Sequence, residues 1–341
     1  MQSSYSCLHL ISKLYTINCL KNIFVVIGTL ISVQLMGQVE SNFSHFMLKP
    51  VSFNSAYAGS LEPIEVGVTY RNQWTGLSGS TISTGSLYTT LPIPKISSGV
   101  SLNMMYDVLG VQKNLYLSLG YAYQLKIRKA KIGFGFSGGF IQSTLFGNLL
   151  RAPEGDYESN FDHRDPIIPL NRASGISPYL SLGIMFTYRT LQIGYSLSNV
   201  IEGSTTITNP SNAKNLIFQR NHFANVSYKF KISKSLSFSP NLLFKTDFKE
   251  NQLDINFLLN YKSKFDVGIG YRGYSKKSNE SVIILLGVNI WKGLQLMYSY
   301  DVATSRFFAY QSGSHEVSLT YKLNYKPRVF NSKIIYNPRF L

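Results

Sequence analysis

Hydrophobic and polar residues alternate one by one along most of the chain. Between positions 222 and 232 the apolar residues share one parity and the polar residues the other; the apolar set is Ala224, Val226, Tyr228, Phe230 and Ile232. A β-strand places two such sets on opposite faces. The same pattern returns along nearly the whole chain after about residue 65, without a convincing helix between the copies. The sequence therefore predicts many antiparallel strands, each with one apolar and one polar face.

Strands of this kind must pack sheet on sheet or close into a barrel, and closure in a membrane places the apolar face in lipid. A soluble β-sandwich is disfavoured because it would expose Tyr, Phe and Leu on strand after strand. We predict an all-β fold: a transmembrane antiparallel up-and-down β-barrel of about 14 strands over residues 65–325, an even number as expected for a single chain. The predicted strand cores are 65–75, 81–91, 97–108, 113–126, 130–142, 176–188, 190–200, 222–232, 235–247, 252–262, 264–274, 281–292, 293–303 and 314–325.

Two features of the strands concern the inner face of the barrel. Small residues such as Gly133 and Gly135 fall on the polar parity, where they let strands curve and leave space in the lumen. The alternation fails over 282–286, where both parities are apolar. We expect the inner face of that strand to be covered by a plug, an inward-folded loop or a partner.

The two ends of the chain lie outside the predicted barrel. Residues 1–37 contain a short apolar run after Lys21 and are predicted to be a secretory signal peptide, since the run is too short to span a bilayer. An N-terminal anchor helix is the alternative. Both cysteines, Cys7 and Cys19, lie in this region, so a processed chain has no disulfide or Cys-ligated metal. Residues 38–64 are predicted to be an irregular N-terminal segment, and 326–341 a basic C-terminal tail.

Two long interruptions of the strand pattern, 143–175 and 201–221, are predicted to be loops at the extracellular end. Acidic residues crowd the first loop at Glu154, Asp156, Asp162 and Asp165. Calcium prefers such oxygen clusters, but the spacing fits no known loop template and arginines nearby can neutralise the acids. We therefore interpret these four residues as part of a solvated loop, with a cation site as the alternative.

The formal net charge is +16, from 33 Lys and Arg against 17 Asp and Glu. A basic chain can bind nucleic acid, an anionic surface or an acidic partner. Nucleic acid is disfavoured because the cations are scattered over polar faces and turns and form no stripe with stacking aromatics. A wet lumen and solvated loops account for most of the charge, and contact with anionic lipid or an acidic protein surface remains open.

The sequence gives little support for catalysis or for a cofactor. The five histidines are far apart, and no pair has metal-ligand spacing. A lipid-modifying enzyme at the barrel rim could use His315, which stands beside Glu316 on the last strand. We expect a structural hydrogen-bonded pair at this position instead, because isolated polar pairs are usually satisfied structure.

The first predicted strand carries an unusual polar set. Arg71 and Gln73 share the inward parity, while Trp74 points outward at the strand end, as an aromatic residue of the membrane interface does. A buried charge is generally paired, so Arg71 needs an acid. We predict Asp107 or Glu65 as its partner, within an internal polar network that holds the lumen shut, in preference to a substrate site.

Four motifs together resemble the PorP/SprF family of Bacteroidetes outer-membrane proteins. They are Asn54 to Gly59, Tyr70 to Trp74, Asp107 to Gly110, and Gly313 to Val317 with His315 and Glu316. Their order and spacing cover nearly the whole chain from residue 38 to about 325. The sequence departs from the family at Ser55, where proline is usual, and the 143–175 loop aligns only loosely.

The resemblance implies a non-enzymatic barrel of the type IX secretion system in the outer membrane, linked in some species to gliding motility. It implies that the partners are other secretion components or the C-terminal domain of a secreted adhesin, held at the cell surface. Docking through loops 143–175 and 201–221 is the mechanism we expect. The alternative is a porin or a channel for hydrophobic substrates, which the polar inner faces and basic balance also suit.

Overall fold

The computed structural model describes residues 41–61, 63–76, 82–158, 161–165, 168–206, 215–274, 279–304 and 311–323. The predicted signal peptide and C-terminal tail lie outside the described residues. No helix in the described part of the chain is long and apolar enough to cross a membrane.

Seventeen strands form the described structure, and five short 3-10 helices interrupt it. The strands are β1 (Ile64–Gln73), β2 (Ile82–Ile93), β3 (Ser98–Leu109), β4 (Gln112–Ile127), β5 (Ala130–Phe146), β6 (Arg172–Tyr188), β7 (Leu191–Ser198), β8 (Ser204–Thr206), β9 (Asn215–Ile217), β10 (Asn221–Tyr228), β11 (Phe230–Lys231), β12 (Leu236–Thr246), β13 (Asn251–Tyr261), β14 (Phe265–Gly273), β15 (Asn279–Trp291), β16 (Leu294–Ala303) and β17 (Ser314–Leu323). The 3-10 helices are η1 (Phe46–Leu48), η2 (Pro50–Ser52), η3 (Ser55–Tyr57), η4 (Pro94–Ile96) and η5 (Gly147–Leu149).

Fourteen of the strands close into one antiparallel barrel, which confirms the predicted fold. The first and last strands pair, with Arg71 of β1 opposite Glu316 of β17. On the other side β10 pairs with both β7 and β12, so the sheet has no open edge there. The short β11 continues β10 along β12, and β8 and β9 form a separate hairpin.

The two faces of the barrel wall follow the predicted parity. On β4 and β5, Leu119 and Phe136 point outward and are 67% and 52% exposed, whereas Gln124 and Ser137 point inward and are almost fully buried. An outer surface of this composition is stable only against lipid. The alternation read from the sequence is therefore the alternation between membrane and lumen.

The connections divide the barrel into two unlike ends. At one end, which we call the turn end, short connections join β2 to β3, β4 to β5, β6 to β7, β11 to β12, β13 to β14 and β15 to β16, and β1 begins and β17 ends there. The opposite end, the loop end, carries the long connections β5 to β6 and β7 to β10. Outer-membrane barrels have short periplasmic turns and longer extracellular loops.

Both long loops differ from their predicted bounds. Strands β5 and β6 each run for 17 residues, so the connection between them spans 147–171 and not 143–175. Thr144 and Ser174 extend the ladder by a side-chain hydrogen bond of 2.9 Å, which the polar composition of this stretch had concealed. Within the second loop, β8 and β9 form a hairpin that the sequence pattern did not predict.

Candidate functional site: a plugged lumen and a buried charge cluster

Residues 41–61 lie inside the barrel, and we call this segment the plug. Side chains of the wall donate hydrogen bonds to its backbone: Asn256 Nδ2 donates to the Ser44 carbonyl at 2.8 Å, and Gln124 Nε2 to the Ala56 carbonyl at 2.8 Å. Irregular backbone can be buried only where its polar groups find partners. The sequence predicted an irregular segment here but did not predict that it fills the lumen.

One wall of the lumen lets the plug approach very closely. A side chain on Gly133 would meet the Ala56 carbonyl at 2.6 Å, and one on Gly135 would collide with the Ala56 backbone nitrogen. These glycines were predicted to leave space in the lumen, and that space is occupied. Their function in the fold is to admit backbone where any larger residue would exclude it.

Asn54 fixes the course of the plug along this wall. Its Oδ1 accepts a hydrogen bond from the Ala56 backbone N–H at 3.0 Å, which caps η3. Its Nδ2 donates to the carbonyls of Ile184 and Tyr195, at 3.1 and 3.3 Å. Gly59 then turns the chain toward β1 with φ of +68°, a conformation that favours glycine.

The plug also covers β15, the strand in which hydrophobic and polar residues fail to alternate over 282–286. Met47 and Leu48 pack against a fully apolar patch of the wall formed by Leu258, Ile283, Leu285 and Met297. Both inward residues of β15 in this patch are completely buried. The prediction that the inner face of this strand is covered is therefore confirmed, and the cover is the plug.

A cluster of buried charges holds the other part of the plug. Arg71 Nη2 donates to Asp301 Oδ2 at 2.7 Å, and its Nη1 donates to Glu316 Oε2 at 3.1 Å. Arg272 Nε donates to Asp254 Oδ1 at 2.6 Å, and its Nη1 donates to Asp301 Oδ2 at 2.9 Å. All five side chains, which we call the charge cluster, are at most 2% exposed.

Ser44 of the plug is the junction of the charge cluster. Its hydroxyl donates to Asp301 at 2.8 Å and accepts from Arg71 at 2.9 Å and Arg272 at 3.1 Å, and its backbone N–H donates to Glu316 at 2.7 Å. Removing one member of such a network leaves an uncompensated buried charge, which costs about 3–5 kcal/mol. The cluster therefore ties the plug to four strands at once.

The predicted acid partners of Arg71 were wrong. Arg71 does point inward, but Asp107 accepts a hydrogen bond from Thr84 at 2.5 Å, and Glu65 accepts one from Tyr88 at 2.7 Å. The acids that Arg71 does bind, Asp301 and Glu316, lie on the last two strands. They come beside β1 only because the barrel closes, which a reading of neighbouring strands does not reveal.

The predicted pair of His315 with Glu316 was also wrong. Consecutive residues of a strand face opposite sides. Glu316 is fully buried in the lumen, whereas His315 lies on the outer face, where its Nδ1 is 2.8 Å from the Tyr298 hydroxyl. No lipid-modifying pair is formed by these two residues.

The other family-motif residues lie at strand ends. Gln73 is the last residue of β1 and is half-buried, and Trp74 follows with φ of 54° and donates its backbone N–H to Ser314 Oγ at 3.1 Å. Gly110 occupies the turn between β3 and β4 with φ of +59°. These residues shape turns at the loop end and do not touch the charge cluster by any described contact.

The described part of the 147–171 loop is folded on itself. Asp156 and Asp162 exchange backbone hydrogen bonds of 2.8 Å, and the Tyr157 hydroxyl lies 2.9 Å from Nδ1 of the buried His163. Glu154 and Asp162 are exposed, and Asp165 is half-buried. The described residues contain no group of His, Cys, Asp or Glu arranged to hold a metal ion.

A small cavity lies between the plug and the wall. Its volume is about 90 Å³, and it is lined chiefly by aromatic and aliphatic side chains with two lysines; they include Phe43, Phe46, Lys49, Tyr116, Phe223 and Lys245. The buried Phe218, just after β9, packs edge-on against Tyr116 with ring centroids 6.5 Å apart. The second loop thus reaches the lining of the cavity.

A closed barrel with a lipid-compatible outer face and a plug in its lumen defines the protein as an outer-membrane β-barrel protein. The chain belongs to the PorP/SprF family of type IX secretion system membrane proteins, whose family model matches residues 36–321. This is a family of secretion-system membrane barrels and not an enzyme family.

Solved barrels of similar fold have very different sequences. The CymD monoaromatic hydrocarbon channel has a TM-score of 0.48 and 12% identity, with 85% of this chain and 95% of that chain covered. A FadL homologue from Pseudomonas aeruginosa has a TM-score of 0.47 and 10% identity, over 81% and 94%. The toluene transporter TodX from Pseudomonas putida has a TM-score of 0.46 and 8% identity, over 81% and 93%. A search of curated proteins finds no match to this chain.

Proposed function

We propose that this protein is a non-enzymatic anchor of the type IX secretion system, which holds the C-terminal domain of a secreted protein at the cell surface. The observation that carries the proposal is the plug: a lumen filled by 41–61 and tied by the charge cluster is suited to a rigid anchor and not to an open pore. Bacterial origin in the Bacteroidetes and a link to gliding motility belong to the same proposal and come from the family.

The loop end supports the cargo side of this proposal. The 147–171 loop presents Glu154 and Asp162 on a segment that is braced by its own hydrogen bonds. A braced loop loses less conformational entropy on binding than a free one. Exposed carboxylates on such a loop can select a basic surface on the cargo by charge.

Cargo retention on cells tests this role. We expect deletion of residues 154–165 to release cargo into the medium, while the barrel still assembles in the outer membrane. A loop in which Glu154, Asp156, Asp162 and Asp165 are each changed to the amide should release part of the cargo. Full retention in the deletion variant would remove this loop from the proposal, and an affinity pull-down from outer membranes would then show whether secretion components bind elsewhere.

A channel for hydrophobic substrates is the second candidate, and the apolar cavity beside the plug favours it. The cavity has aromatic walls and includes Lys49, which is 2% exposed, a combination that suits a small apolar molecule with a negative group. Uptake of such compounds by cells that carry the protein, compared with cells that lack it, separates a channel from an anchor.

A further inference from the structure

The turn end of the barrel is strongly basic. Each of its six short connections carries at least one cation, represented in chain order by Lys95, Arg128, Arg189, Lys234, Lys262 and Lys292, and none of the six carries an acid. The carboxylates at this end among the described residues, Glu65 and Asp266, are both less than 10% exposed. A surface of one sign attracts a partner of the opposite sign.

Some of these cations belong to the membrane interface. Arg189, Lys262 and Lys264 lie over the rings of Tyr188, Tyr261 and Phe265, at 5.5, 5.3 and 5.5 Å from the ring centroids. Those rings are on the outer face of the barrel. Cations stacked on an outward aromatic belt are placed for lipid headgroups.

A second group of cations at the turn end lies on the lumen side of the barrel wall. Lys231 pairs with the inward Ser237, and Lys229 lines the same hollow as Lys231. Lys322 on β17 pairs with the inward Glu65 of β1. Lipid cannot reach the lumen side of the wall. These lysines therefore require a different explanation from the cations of the outer rim.

The inward lysines line two adjoining hollows that open at the turn end, and we call these the basic basin. One hollow has a volume of about 540 Å³ and includes Lys229, Lys231 and Lys234; the other has a volume of about 480 Å³ and includes Lys229, Lys292 and Lys322. Lys229 and Asn260 line both.

Most lysines of the basin have no carboxylate partner in the described part of the chain. Its carboxylate, Asp266, accepts hydrogen bonds from Asn260 at 2.8 Å and Gln295 at 2.9 Å and lies beyond 4.0 Å from every described lysine nitrogen. Lys322 lies 3.4 Å from Glu65, whereas Lys229, Lys231 and Lys234 have no described carboxylate within 4.0 Å. Serines and asparagines are also part of the lining, and their side chains can form hydrogen bonds with a peptide backbone.

The second hollow of the basin reaches the apolar cluster that packs against the plug. Leu258 lines the second hollow and packs with the plug residues Met47 and Leu48 in one apolar cluster. A chain that entered from the turn end would stop at this cluster. The geometry suits a docked segment and not a passage.

We propose that the basic basin binds an acidic polypeptide segment of a partner protein on the periplasmic side. A polypeptide fits because the two hollows adjoin at shared residues, are lined mainly by polar side chains and lie where lipid headgroups do not reach. This site is at the opposite end of the barrel from the cargo loops, so it adds a second, independent docking surface to an anchor.

Binding of fluorescein-labelled decaglutamate to the full-length protein in nanodiscs tests the proposal. We expect saturable binding that weakens steeply with salt, and a loss of about tenfold or more in affinity for Lys229→Glu/Lys231→Glu/Lys234→Glu, since three charges are reversed. The matched control is Lys95→Glu/Arg128→Glu/Lys129→Glu, which reverses three cations at turn tips away from the basin. This control should change affinity by less than about threefold.

Two results would overturn the proposal: an absence of peptide binding, or an equal loss of affinity in both triple variants. If the basin variant does not assemble, protection of lysines from acetylation in the wild-type protein tests the proposal instead. Decaglutamate should then protect Lys229, Lys231 and Lys234 from acetylation, while Lys262 and Lys264, which lie over the outer-face rings of Tyr261 and Phe265, stay reactive. Uniform protection would contradict the site. This experiment does not measure cargo release, so the basic basin and the cargo loops are tested independently of each other.

Discussion

The two halves of the plug are held in opposite ways. Residues 44 and 45 are bound by charged side chains from β1, β14, β16 and β17, which reach inward to them. Residues 54–56 lie directly on the wall of β5 and β6, where glycines leave no side chain between backbone and backbone. One half depends on electrostatic pairing and the other on steric access. The comparison teaches that a plug can be held in a barrel in two ways. Charged side chains on the inner face can bind it, or glycines on the inner face can let its backbone lie directly on the wall.

The charge-cluster half should be the more sensitive to a single substitution. Glu316→Gln removes one carboxylate charge and leaves Arg71 less compensated, and we expect about 3–5 kcal/mol lower stability. Urea unfolding in lipid vesicles measures this. The matched control is Glu250→Gln in the exposed turn between β12 and β13, where a change within about 0.5 kcal/mol is expected. Equal midpoints for the two variants would contradict the importance of the cluster.

The glycine half should fail by crowding. Gly135→Val places a side chain against Ala56, and overpacking of this kind costs about 1–3 kcal/mol. Gly138→Val on the same strand is the control, because no atom lies within 4 Å of the Cβ that it would add. We expect protease to cut the plug of the Gly135 variant, with the control resistant. Cleavage of both or of neither would argue against steric access as the determinant.

Loss of the Asn54 side chain should have a smaller effect. Asn54→Ala removes the cap of η3 and two hydrogen bonds to the wall, for which we expect a cost of about 1–2 kcal/mol. Asn289→Ala is the comparison, since Asn289 near the end of β15 also donates to a backbone carbonyl, that of Ser263, but this hydrogen bond is exposed. A larger loss at Asn289 than at Asn54 would reverse the expected order.

The smallest expected effect is the loss of stability at acid pH that is due to His45. Burial lowers the pKa of His45 in the plug, and this outweighs the attraction of Glu316, whose Oε1 is 3.3 Å from His45 Nδ1. Because the folded-state pKa lies below the unfolded value of about 6.5, this contribution to stability is complete above about pH 6.5 and is lost as the pH falls. The urea midpoint of the wild type should therefore fall more between about pH 7 and about pH 5 than that of His45→Gln. Parallel curves would exclude His45 as a source of pH dependence.

The sequence predicts the wall of this barrel far better than its interior. Strand parity depends on neighbours two residues apart, so all fourteen wall strands could be read from local pattern, and even the failure of alternation over 282–286 correctly indicated a cover. The plug has no such period, because its turns are fixed by contacts with residues such as Asn256 and Gln124 far along the chain. The close approach of the plug to the wall depends on Gly133 and Gly135, and a glycine on a strand does not by itself indicate what lies against it.

The charge cluster could be predicted in part. The inward parity of Arg71 indicated a buried partner, but the partner depends on closure between β1 and β17 and on which strands the plug brings together. Asp301 and Glu316 lie more than 200 positions from Arg71. Pairing the inward acids of the last strands with the inward arginines of the first would have found them, once closure was assumed.

Single-channel recording of the wild-type protein in planar bilayers tests the central claim most directly. The account predicts membranes that contain assembled protein and yet remain silent, because the plug fills the lumen and the charge cluster holds it there. Steady ohmic conductance of the size that open porins give would contradict the account.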